Sequence, residues 1–400
     1  MGHIIIVTHG TAGDILQLCG LASGLRERGH EVVMLTHGPY ADRVRQAGAQ
    51  FVALDTESEY ARHVAETPQL LSVRSPASLA AFYEHTGLFD QLRFEVRTML
   101  ALHRPGQTVL VGRHGSALSV PIAAAVLGAP AVWVALYPSQ LLTAPVAAYF
   151  AACGLGSELS RIRDEFGLPA DQGMPEAWTT NPTLALWPTW FDAAGTPAPP
   201  EARVTGFIPG DDESPGALPP AVTDLSRGVR PVLVTGGTGR MLHADFYSAA
   251  IRAVARVGRP ALVVTPYRDL LPDPLPTHAR WVPSLPFAAV LPTVDAIVHH
   301  GGIGTAMRAL RSGTPQVILA HGLDRPDNAA RLAHLGLAEW STPDGWHVAS
   351  TMLGRALADT GYPARAANQL RDDDPEHAVS AAAEVLEGLL AGTSGARAAR

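Results

Sequence analysis

One segment of the chain, residues 294–332, restricts the fold more than any other part of the sequence. Its first apolar run, Ala296–Val298, has the length of a strand that is buried on both faces of a sheet. The glycine-rich stretch His299–Thr305 follows, and glycine allows a backbone to come close to a phosphate. A short helix over Ala306–Ser312 and a strand over Gln316–Ala320 complete the predicted unit. This order of elements indicates a parallel sheet with crossover helices.

The start of the predicted helix is suited to bind an anion. A helix N-terminus offers backbone N–H groups without partners and about half a positive charge. The glycine spacing matches neither the GxGxxG pattern of dinucleotide sites nor a Walker loop, and the chain contains no lysine. These features favour a nucleotide sugar over a dinucleotide or ATP as the ligand.

A longer signature surrounds this turn. Residues 299–305, HHGGIGT, and residues 313–332, GTPQVILAHGLDRPDNAARL, together resemble the donor-binding signature of glycosyltransferase family 1. The resemblance is strong over 232–340, clear over 3–54, and points to the bacterial branch that decorates antibiotics, macrolides and other natural products. It implies an inverting glycosyltransferase of the hexosyltransferase class, which moves a sugar from a UDP- or dTDP-linked donor to a small, largely apolar acceptor. The nucleoside-diphosphate sugar is then a co-substrate, and no cofactor is expected.

The element order and this resemblance predict an α/β chain with the GT-B fold, in which two Rossmann-like doubly wound domains face each other across a cleft. The chain has 400 residues, which suits two such domains. A stretch rich in Pro, Gly and acidic residues is interpreted as the linker. The C-terminal helices are expected to cross back to the N-terminal domain, and residues 391–400 to form a frayed tail. The predicted parts are an acceptor-binding domain over 1–208, a linker over 209–231, a donor-binding domain over 232–375, and a C-terminal helix and tail over 376–400.

The resemblance assigns the diphosphate to specific residues. In the family, the histidine before Gly-Gly and a hydroxyl at the end of the turn hold this group. They fall on His300 and Thr305, with backbone donors at Gly302 and Gly304. The alternative for His300 is a core histidine whose hydrogen bonds are satisfied within the protein. The donor site predicted for this chain comprises Gly237, Thr238, Trp281, Val282, His300, Gly302, Gly304, Thr305, Asp324 and Arg325.

Other parts of this donor site rest on shorter matches. Gly237 and Thr238 form a second glycine-rich turn, predicted to help neutralise the diphosphate. The segment Trp281–Pro283 is similar to the family's tryptophan–x–proline segment, where the indole stacks on the nucleobase and the following backbone groups, here at Val282, read its edge. The alternative for Trp281 is a half-buried strand residue.

The sugar-contacting pair contains a departure from the family. Asp324 matches the aspartate that holds sugar hydroxyls, whereas Arg325 replaces the usual glutamine with a fixed positive charge. Arg325 either indicates a donor sugar other than plain glucose or points to solvent. Asp327 and Asn328 are interpreted as helix-start residues and not as ligands.

The base for the acceptor hydroxyl is assigned to Asp14. The sequence GTAGD, which ends at this residue, is similar to the G-x-x-G-D stretch in which the bacterial branch carries its proposed base. The alternative for Asp14 is an N-cap of the following helix. His9 is the reserve candidate, and His114 either lines the acceptor site or has no role. The resemblance is weak over 57–105 and 137–190, where the family builds its acceptor pocket.

Composition excludes several other classes. A net charge of −7 argues against a nucleic-acid-binding face. The sequence has no run of about 18 apolar residues, so no membrane span is predicted. Cys19 and Cys153 cannot form a disulfide framework or a zinc site, and Cys19 is interpreted as a small core residue. No D-x-D pair accompanies a sugar-binding turn, so no metal is expected, and Asp211 and Asp212 are interpreted as solvated linker residues. The first strand begins at once, which predicts a cytoplasmic protein without a signal peptide.

Two other functions stay open from the sequence. A sugar-nucleotide epimerase on the same fold would need further acid and base residues around the donor. A non-catalytic helper protein would keep the donor turn but lack a working base. The oligomeric state is also open, with a homodimer as one alternative.

Overall fold

The computed structural model describes residues 1–169, 182–210, 228–240 and 243–398, together with residues 218 and 222. Of the predicted linker over 209–231, the structure describes only residues 209, 210, 218, 222 and 228–231. Asp211 and Asp212 lie outside the described residues. The chain contacts separate two compact units. Unit 1 consists of Met1–Thr189, Ala198–Asp211 and Pro375–Arg400, and unit 2 consists of Trp190–Pro197 and Asp212–Asp374.

Within the described residues, each unit contains one parallel sheet. The strand order is β3-β2-β1-β4-β5-β6-β7 in unit 1 and β10-β9-β8-β11-β12-β13 in unit 2. In both sheets the order reverses beside the first strand of the unit, which is the arrangement of a doubly wound fold. The strands are β1 His3–Val7, β2 Glu31–Thr36, β3 Gln50–Ala53, β4 Thr108–Arg113, β5 Ala131–Ala135, β6 Thr183–Ala185, β7 Ala202–Val204, β8 Val232–Thr235, β9 Ala261–Val264, β10 Ala279–Val282, β11 Ala296–His299, β12 Gln316–Leu319 and β13 Glu339–Ser341.

Helices connect these strands. The α-helices are α1 Ala12–Glu27, α2 Ala41–Gln46, α3 Glu57–Glu66, α4 Pro76–Thr86, α5 Leu88–Leu102, α6 Ser119–Leu127, α7 Pro138–Leu142, α8 Ala144–Glu165, α9 Thr189–Ala193, α10 Ala244–Arg256, α11 Phe287–Val290, α12 Ile303–Arg311, α13 Arg325–His334, α14 Ala349–Ala358, α15 Tyr362–Gln369 and α16 Pro375–Ala398. Short 3₁₀ helices lie at Gly38–Tyr40, Thr67–Ser72, Arg268–Leu270, Leu291–Thr293 and Pro343–Val348.

The alternation of side chains along β1 divides the core of unit 1 into two apolar layers. Ile4 and Ile6 belong to the layer that contains α1 and α16, whereas Ile5 and Val7 belong to the layer that contains α5, α6 and α8. Successive side chains of a strand point to opposite faces, so a continuous apolar run is what a sheet covered on both faces requires. The first strand predicted near the N-terminus is therefore present and is buried along its whole length.

The C-terminal helix α16 packs against α1 within unit 1. A side-chain carbon on Gly24 of α1 would overlap Val379 of α16, so glycine allows the two helices to approach. Glu387 of α16 accepts a hydrogen bond from Nη2 of Arg28 at 2.8 Å and lies 3.0 Å from Nε2 of His30. The predicted return of the C-terminal helix to the first domain is confirmed. The backbone stays helical to Ala398, so most of the tail predicted to fray is helical.

The described helices and side chains also limit membrane and metal chemistry. No described helix combines the length and the apolar composition that a membrane crossing requires. The same residues contain no group of three or more His, Cys, Asp or Glu side chains arranged to hold a metal ion. Cys19 is buried in the core, as predicted, and Cys153 is exposed; no disulfide joins the two.

A buried arginine anchors a segment of unit 2 that the sequence did not indicate. Residues 190–197 lie between β6 and β7 in the chain but belong to unit 2. Arg331 of α13 is 1% exposed and donates to the carbonyl oxygens of Phe191, Asp192 and Thr196 at 3.1, 2.7 and 2.7 Å. It also donates to Oδ2 of Asp327 at 2.9 Å. The segment is thus fixed to the helix that begins beside the predicted sugar contacts.

We predict that Arg331→Met destabilises the protein. Methionine keeps the apolar stem but removes every charged donor, and the carbonyl groups then stay buried without partners. The free energy of unfolding should fall by about 3 kcal/mol or more in chemical denaturation. The control is Arg355→Met, because Arg355 lies in the same unit but pairs with Glu339 at the surface. Equal losses in the two variants would contradict the role given to the buried guanidinium.

Candidate active site

The predicted diphosphate contacts of unit 2 lie at the carboxyl ends of β8 and β11, where the strand order reverses. Gly237 follows β8 and His300 follows β11, and the two glycine-rich turns lie against each other. A side-chain carbon on Gly237 would lie 2.7 Å from Cε1 of His300, and one on Gly302 would lie 2.6 Å from Nε2. Both positions therefore need glycine to leave room for the imidazole ring.

The His300 ring is neutral and is not fully satisfied by the protein. Burial lowers the pKa of its imidazole well below the usual value, and the charge of Arg325 lowers this pKa further. The buried Nδ1 atom forms no hydrogen bond of normal geometry with any described residue, although the Thr235 carbonyl lies nearby. A neutral imidazole can donate an N–H to a phosphate oxygen. The contact of His300 with a diphosphate stays a prediction.

The turn leads directly into α12, with Gly302 as its N-cap residue. The amide groups in the first turn of a helix have no acceptor within the helix. Gly302, Gly304 and Thr305 are partly exposed here, whereas Ile303 is buried. The exposed side of this helix end offers N–H groups and a hydroxyl to an anion.

A buried hydrogen-bond chain fixes the backbone of the turn. The N–H of Gly301, whose φ is 98°, donates to Nδ1 of His299 at 3.2 Å. Nε2 of His299 must then carry the proton and donate to Oε1 of Gln316 at 2.9 Å. The Gln316 amide donates in turn to the Tyr362 hydroxyl at 3.0 Å. Burial lowers the pKa of His299 to about 4, which keeps this ring neutral.

Trp281 and Val282 are both partly exposed at the end of β10. Nε1 of Trp281 donates to the Thr265 carbonyl oxygen at 2.8 Å, which fixes the orientation of the indole. The Tyr267 hydroxyl donates to the carbonyl oxygen of the exposed Thr238 at 2.8 Å. The roles of Trp281 and Val282 at the nucleobase, and of Thr238 at the diphosphate, stay predictions.

Arg325 does not point to solvent, and that alternative from the sequence is wrong. It is 7% exposed, it is the first residue of α13, and its Nη1 donates to the His321 carbonyl oxygen at 2.8 Å. Asp324, directly before it, is partly exposed at the N-cap position. The buried charge of Arg325 thus directly follows Asp324, the carboxylate predicted to contact the sugar. The same charge lowers the pKa of His300.

In unit 1, His9 pairs with a buried carboxylate. Its Nε2 lies 2.6 Å from Oε1 of Glu95, a residue of α5 that is 2% exposed. Glu95 also accepts from the Ser119 hydroxyl at 2.5 Å and from the Gln91 amide at 2.8 Å. Burial raises the pKa of Glu95, but its interactions with His9 and the hydrogen bonds from Ser119 and Gln91 outweigh burial, so the pKa lies below the usual value. Glu95 is therefore an ionised acceptor that holds Nε2–H of His9.

Buried side chains also fix the residue after His9. The N–H of Gly10, whose φ is 117°, donates to Nε2 of His37 at 3.0 Å. Nδ1 of His37 must therefore carry the proton, and it lies 2.7 Å from Oδ2 of Asp55. The Tyr60 hydroxyl donates to the Gly10 carbonyl oxygen at 3.1 Å. These hydrogen bonds from within unit 1 fix the orientation of the turn.

Both carboxylate oxygens of Asp14 have protein partners. Oδ2 accepts from the backbone N–H of Thr11 at 2.8 Å, and Oδ1 accepts from Nη2 of Arg113 at 2.6 Å. Thr11 is the N-cap of α1, and Asp14 occupies the third helical position of a capping box. The alternative from the sequence, in which Asp14 itself is the N-cap, is therefore wrong. A proton-accepting role for Asp14 stays a prediction and would require one of these contacts to open.

His114 is 3% exposed, and burial lowers the pKa of its imidazole to about 4. Its ring packs edge-on against Trp133, with ring centres 5.7 Å apart. His114 is therefore a buried, neutral histidine that packs against a strand of the sheet. The predicted alternative that it lines an acceptor site gains no support from this burial.

Comparison with known proteins gives the family. The N-terminal domain of glycosyltransferase family 28 matches residues 4–131, and the C-terminal domain of the erythromycin biosynthesis protein CIII-like family matches residues 252–391. The O-mycaminosyltylonolide 6-deoxyallosyltransferase of Streptomyces fradiae is 28% identical over 376 residues, which cover 85% of this chain and 86% of that protein. This chain belongs to the bacterial natural-product glycosyltransferases.

Solved structures of such glycosyltransferases confirm the predicted GT-B fold. The calicheamicin glycosyltransferase CalG4 has a TM-score of 0.68 at 23% identity, with 98% of each chain covered. The glycosyltransferase VinC, solved in complex with dTDP, has a TM-score of 0.66 at 20% identity and covers 97% of this chain and 99% of its own.

The sequence of this glycosyltransferase did not indicate several residues that contact the candidate site in unit 1. His37 was without a recognisable pattern, and Glu95 lies in the stretch where the family resemblance is weak. Arg113 ends an ordinary strand. Each is 18 to 99 residues away from the group it contacts, so no local spacing could indicate the pairs.

We predict that His300→Ala weakens the binding of a nucleoside diphosphate by about tenfold, because one hydrogen bond to a charged oxygen is lost. The fold should be retained, since alanine fits between the two glycine turns. Calorimetric titration with UDP and dTDP measures the effect. His347→Ala is the control, an exposed histidine of the same unit. Unchanged affinity in His300→Ala would refute the assignment.

Proposed function

We propose that this glycosyltransferase transfers a sugar, with inversion, from a UDP- or dTDP-linked donor to a hydroxyl of a small, largely apolar natural product in the cytoplasm. The observation that carries the proposal is the neutral His300 ring between two glycine turns at the start of α12. VinC, which shares the fold, was solved with dTDP, and the Streptomyces fradiae relative is named as a deoxyallosyltransferase. Both names agree with a nucleotide-linked sugar as the donor.

The leaving group is a diphosphate, and the transferase must stabilise the charge that develops on it. In the proposed reaction, the bond from the acceptor oxygen to the anomeric carbon forms while the bond from that carbon to the diphosphate oxygen breaks. The electron pair of the broken bond goes to the diphosphate. His300, Thr305, the first amide groups of α12 and the turn at Gly237 supply hydrogen-bond donors for it, and no metal is required.

The proton of the acceptor hydroxyl needs a base, and the geometry favours His9 over Asp14. Because the Glu95 carboxylate can only accept, Nε2 of His9 carries the hydrogen and Nδ1 keeps the lone pair. Nδ1 can take the proton of the attacking hydroxyl, and Glu95 then stabilises the imidazolium. Asp14 already accepts hydrogen bonds from three protein donors, the amide and the hydroxyl of Thr11 and Nη2 of Arg113, and would have to release one of them to act.

Two substitutions distinguish these bases. If His9 is the base, His9→Ala should reduce turnover by roughly 100-fold or more, while donor affinity changes little. The melting temperature should fall in this variant, because the buried Glu95 carboxylate loses a partner. Asp14→Asn should then stay active, because asparagine keeps an oxygen for the Thr11 amide. The reverse pattern would give the role to Asp14. If both variants turn over at the wild-type rate, neither residue is the base.

The buried charge of Arg325 leads to a separate prediction about donor choice. Arg325→Gln removes a positive charge beside Asp324 and should change the ranking among donors that share one nucleotide but differ in their sugar. Competition between such donors measures the ranking, and Arg355→Gln, a surface arginine of the same unit, is the control. A uniform change for all donors would show that Arg325 does not select the sugar.

A further inference from the structure

One amide group links two parts of the donor site. Asn328 lies in the first turn of α13 and is 0% exposed. Its Nδ2 atom donates one hydrogen bond to the Gly301 carbonyl oxygen at 3.0 Å and another to Oδ2 of Asp324 at 2.7 Å. Gly301 belongs to the turn that carries His300, and Asp324 is the carboxylate predicted to contact the sugar.

The orientation of this amide is fixed by its partners. Both neighbours of Nδ2 are acceptors, so a rotated amide would place its oxygen against a carbonyl and a carboxylate. The Oδ1 atom of Asn328 is buried and has no hydrogen-bond partner in the described part of the chain. An unpaired buried acceptor is destabilising. Alanine at this position would remove that acceptor, but it would also remove the donor that the Gly301 carbonyl and the Asp324 carboxylate share.

Both partners of Asn328 lie on backbone that needs support. Gly301 has a φ of 98°, and its N–H is already held by His299. Leu323, directly before Asp324, has a φ of 53° and an exposed side chain, and such a conformation is strained for leucine. The Asn328 side chain therefore links the Gly301 carbonyl to the carboxylate of Asp324, the residue that follows the strained Leu323.

We propose that Asn328 is a positioning residue that sets the spacing between the diphosphate turn and the sugar-contacting carboxylate. The inference rests on the proposed function, since it assumes a nucleotide-sugar donor. A side chain that links both contacts makes the sugar and the diphosphate cooperate in binding. Its loss harms the binding of a complete donor more than the binding of a nucleoside diphosphate, which has no sugar.

Calorimetric titration of the full chain tests this difference. The probes are whichever of UDP and dTDP binds the wild-type protein more tightly, and the sugar-linked form of that nucleotide that ranks first in the donor competition proposed above. In Asn328→Ala, the affinity for the sugar-linked form should fall about tenfold more than the affinity for the diphosphate. A general loss of structure would weaken both ligands alike, so the ratio of the two dissociation constants reports the positioning role.

A double-substitution cycle gives the second measurement. Asp324→Ala should weaken the sugar-linked donor in the wild-type background and have little further effect in Asn328→Ala, because the two residues act as one unit. Asn368→Ala is the control, an exposed asparagine of the same unit that accepts a hydrogen bond from Arg371. If Asn328→Ala does not fold, Asn328→Ser, which keeps one donor, replaces it.

Three results would overturn the inference. An equal loss of affinity for both ligands would reduce Asn328 to a structural residue. Strictly additive effects of Asp324→Ala and Asn328→Ala would show that no coupling exists. If the wild-type protein binds neither ligand, the proposed function fails and the inference falls with it, whereas either of the first two results leaves the proposed function intact.

Discussion

The hydrogen bonds that hold the backbone of Gly301 are the constraint on which the donor site depends. Its N–H is taken by His299 and its carbonyl oxygen by Asn328, both within the buried interior of unit 2. Because these groups are satisfied inside the protein, the neighbouring amide groups at the start of α12 stay available to an anion. The His300 ring fits beside them only because Gly237 lacks a side chain. The turn is thus organised before the ligand arrives, which reduces the entropy lost on binding.

The same device occurs in unit 1. The N–H of Gly10 is accepted by a buried histidine, His37, and its carbonyl oxygen accepts from the hydroxyl of Tyr60. In each unit, therefore, a glycine with positive φ at the end of a central strand is held on both sides by side chains from other elements. The two turns have similar sequences, VTHGTAG over 7–13 and VHHGGIG over 298–304. These sequences did not indicate that both use a neutral histidine as the acceptor for a glycine amide.

Buried charged groups fix a single arrangement of the side chains around them, at a cost in desolvation. Glu95 keeps its charge because His9, Ser119 and a glutamine amide replace water around it. Arg331 keeps its charge because three carbonyl groups and a carboxylate surround the guanidinium. A buried ion is tolerated only when several hydrogen bonds offset its desolvation. Such groups therefore fix one arrangement of their neighbours. Glu95 fixes His9, the base candidate in unit 1, and Arg331 fixes α13 against residues 190–197 in unit 2.

Sequence alone determined the parts of this protein that depend on local pattern. The apolar strand runs, the turn over 299–305 and the return of the C-terminal helix followed from periodicity, glycine placement and the family signature. The tertiary structure alone decided the partners of His9 and Asp14, because Glu95 and Arg113 are 86 and 99 residues distant from them. Such pairs form where separate elements meet at one edge of a sheet, and no local spacing records that meeting. Burial likewise decided that Arg325 faces the protein, since burial depends on the elements that cover a residue and not on its neighbours in the chain.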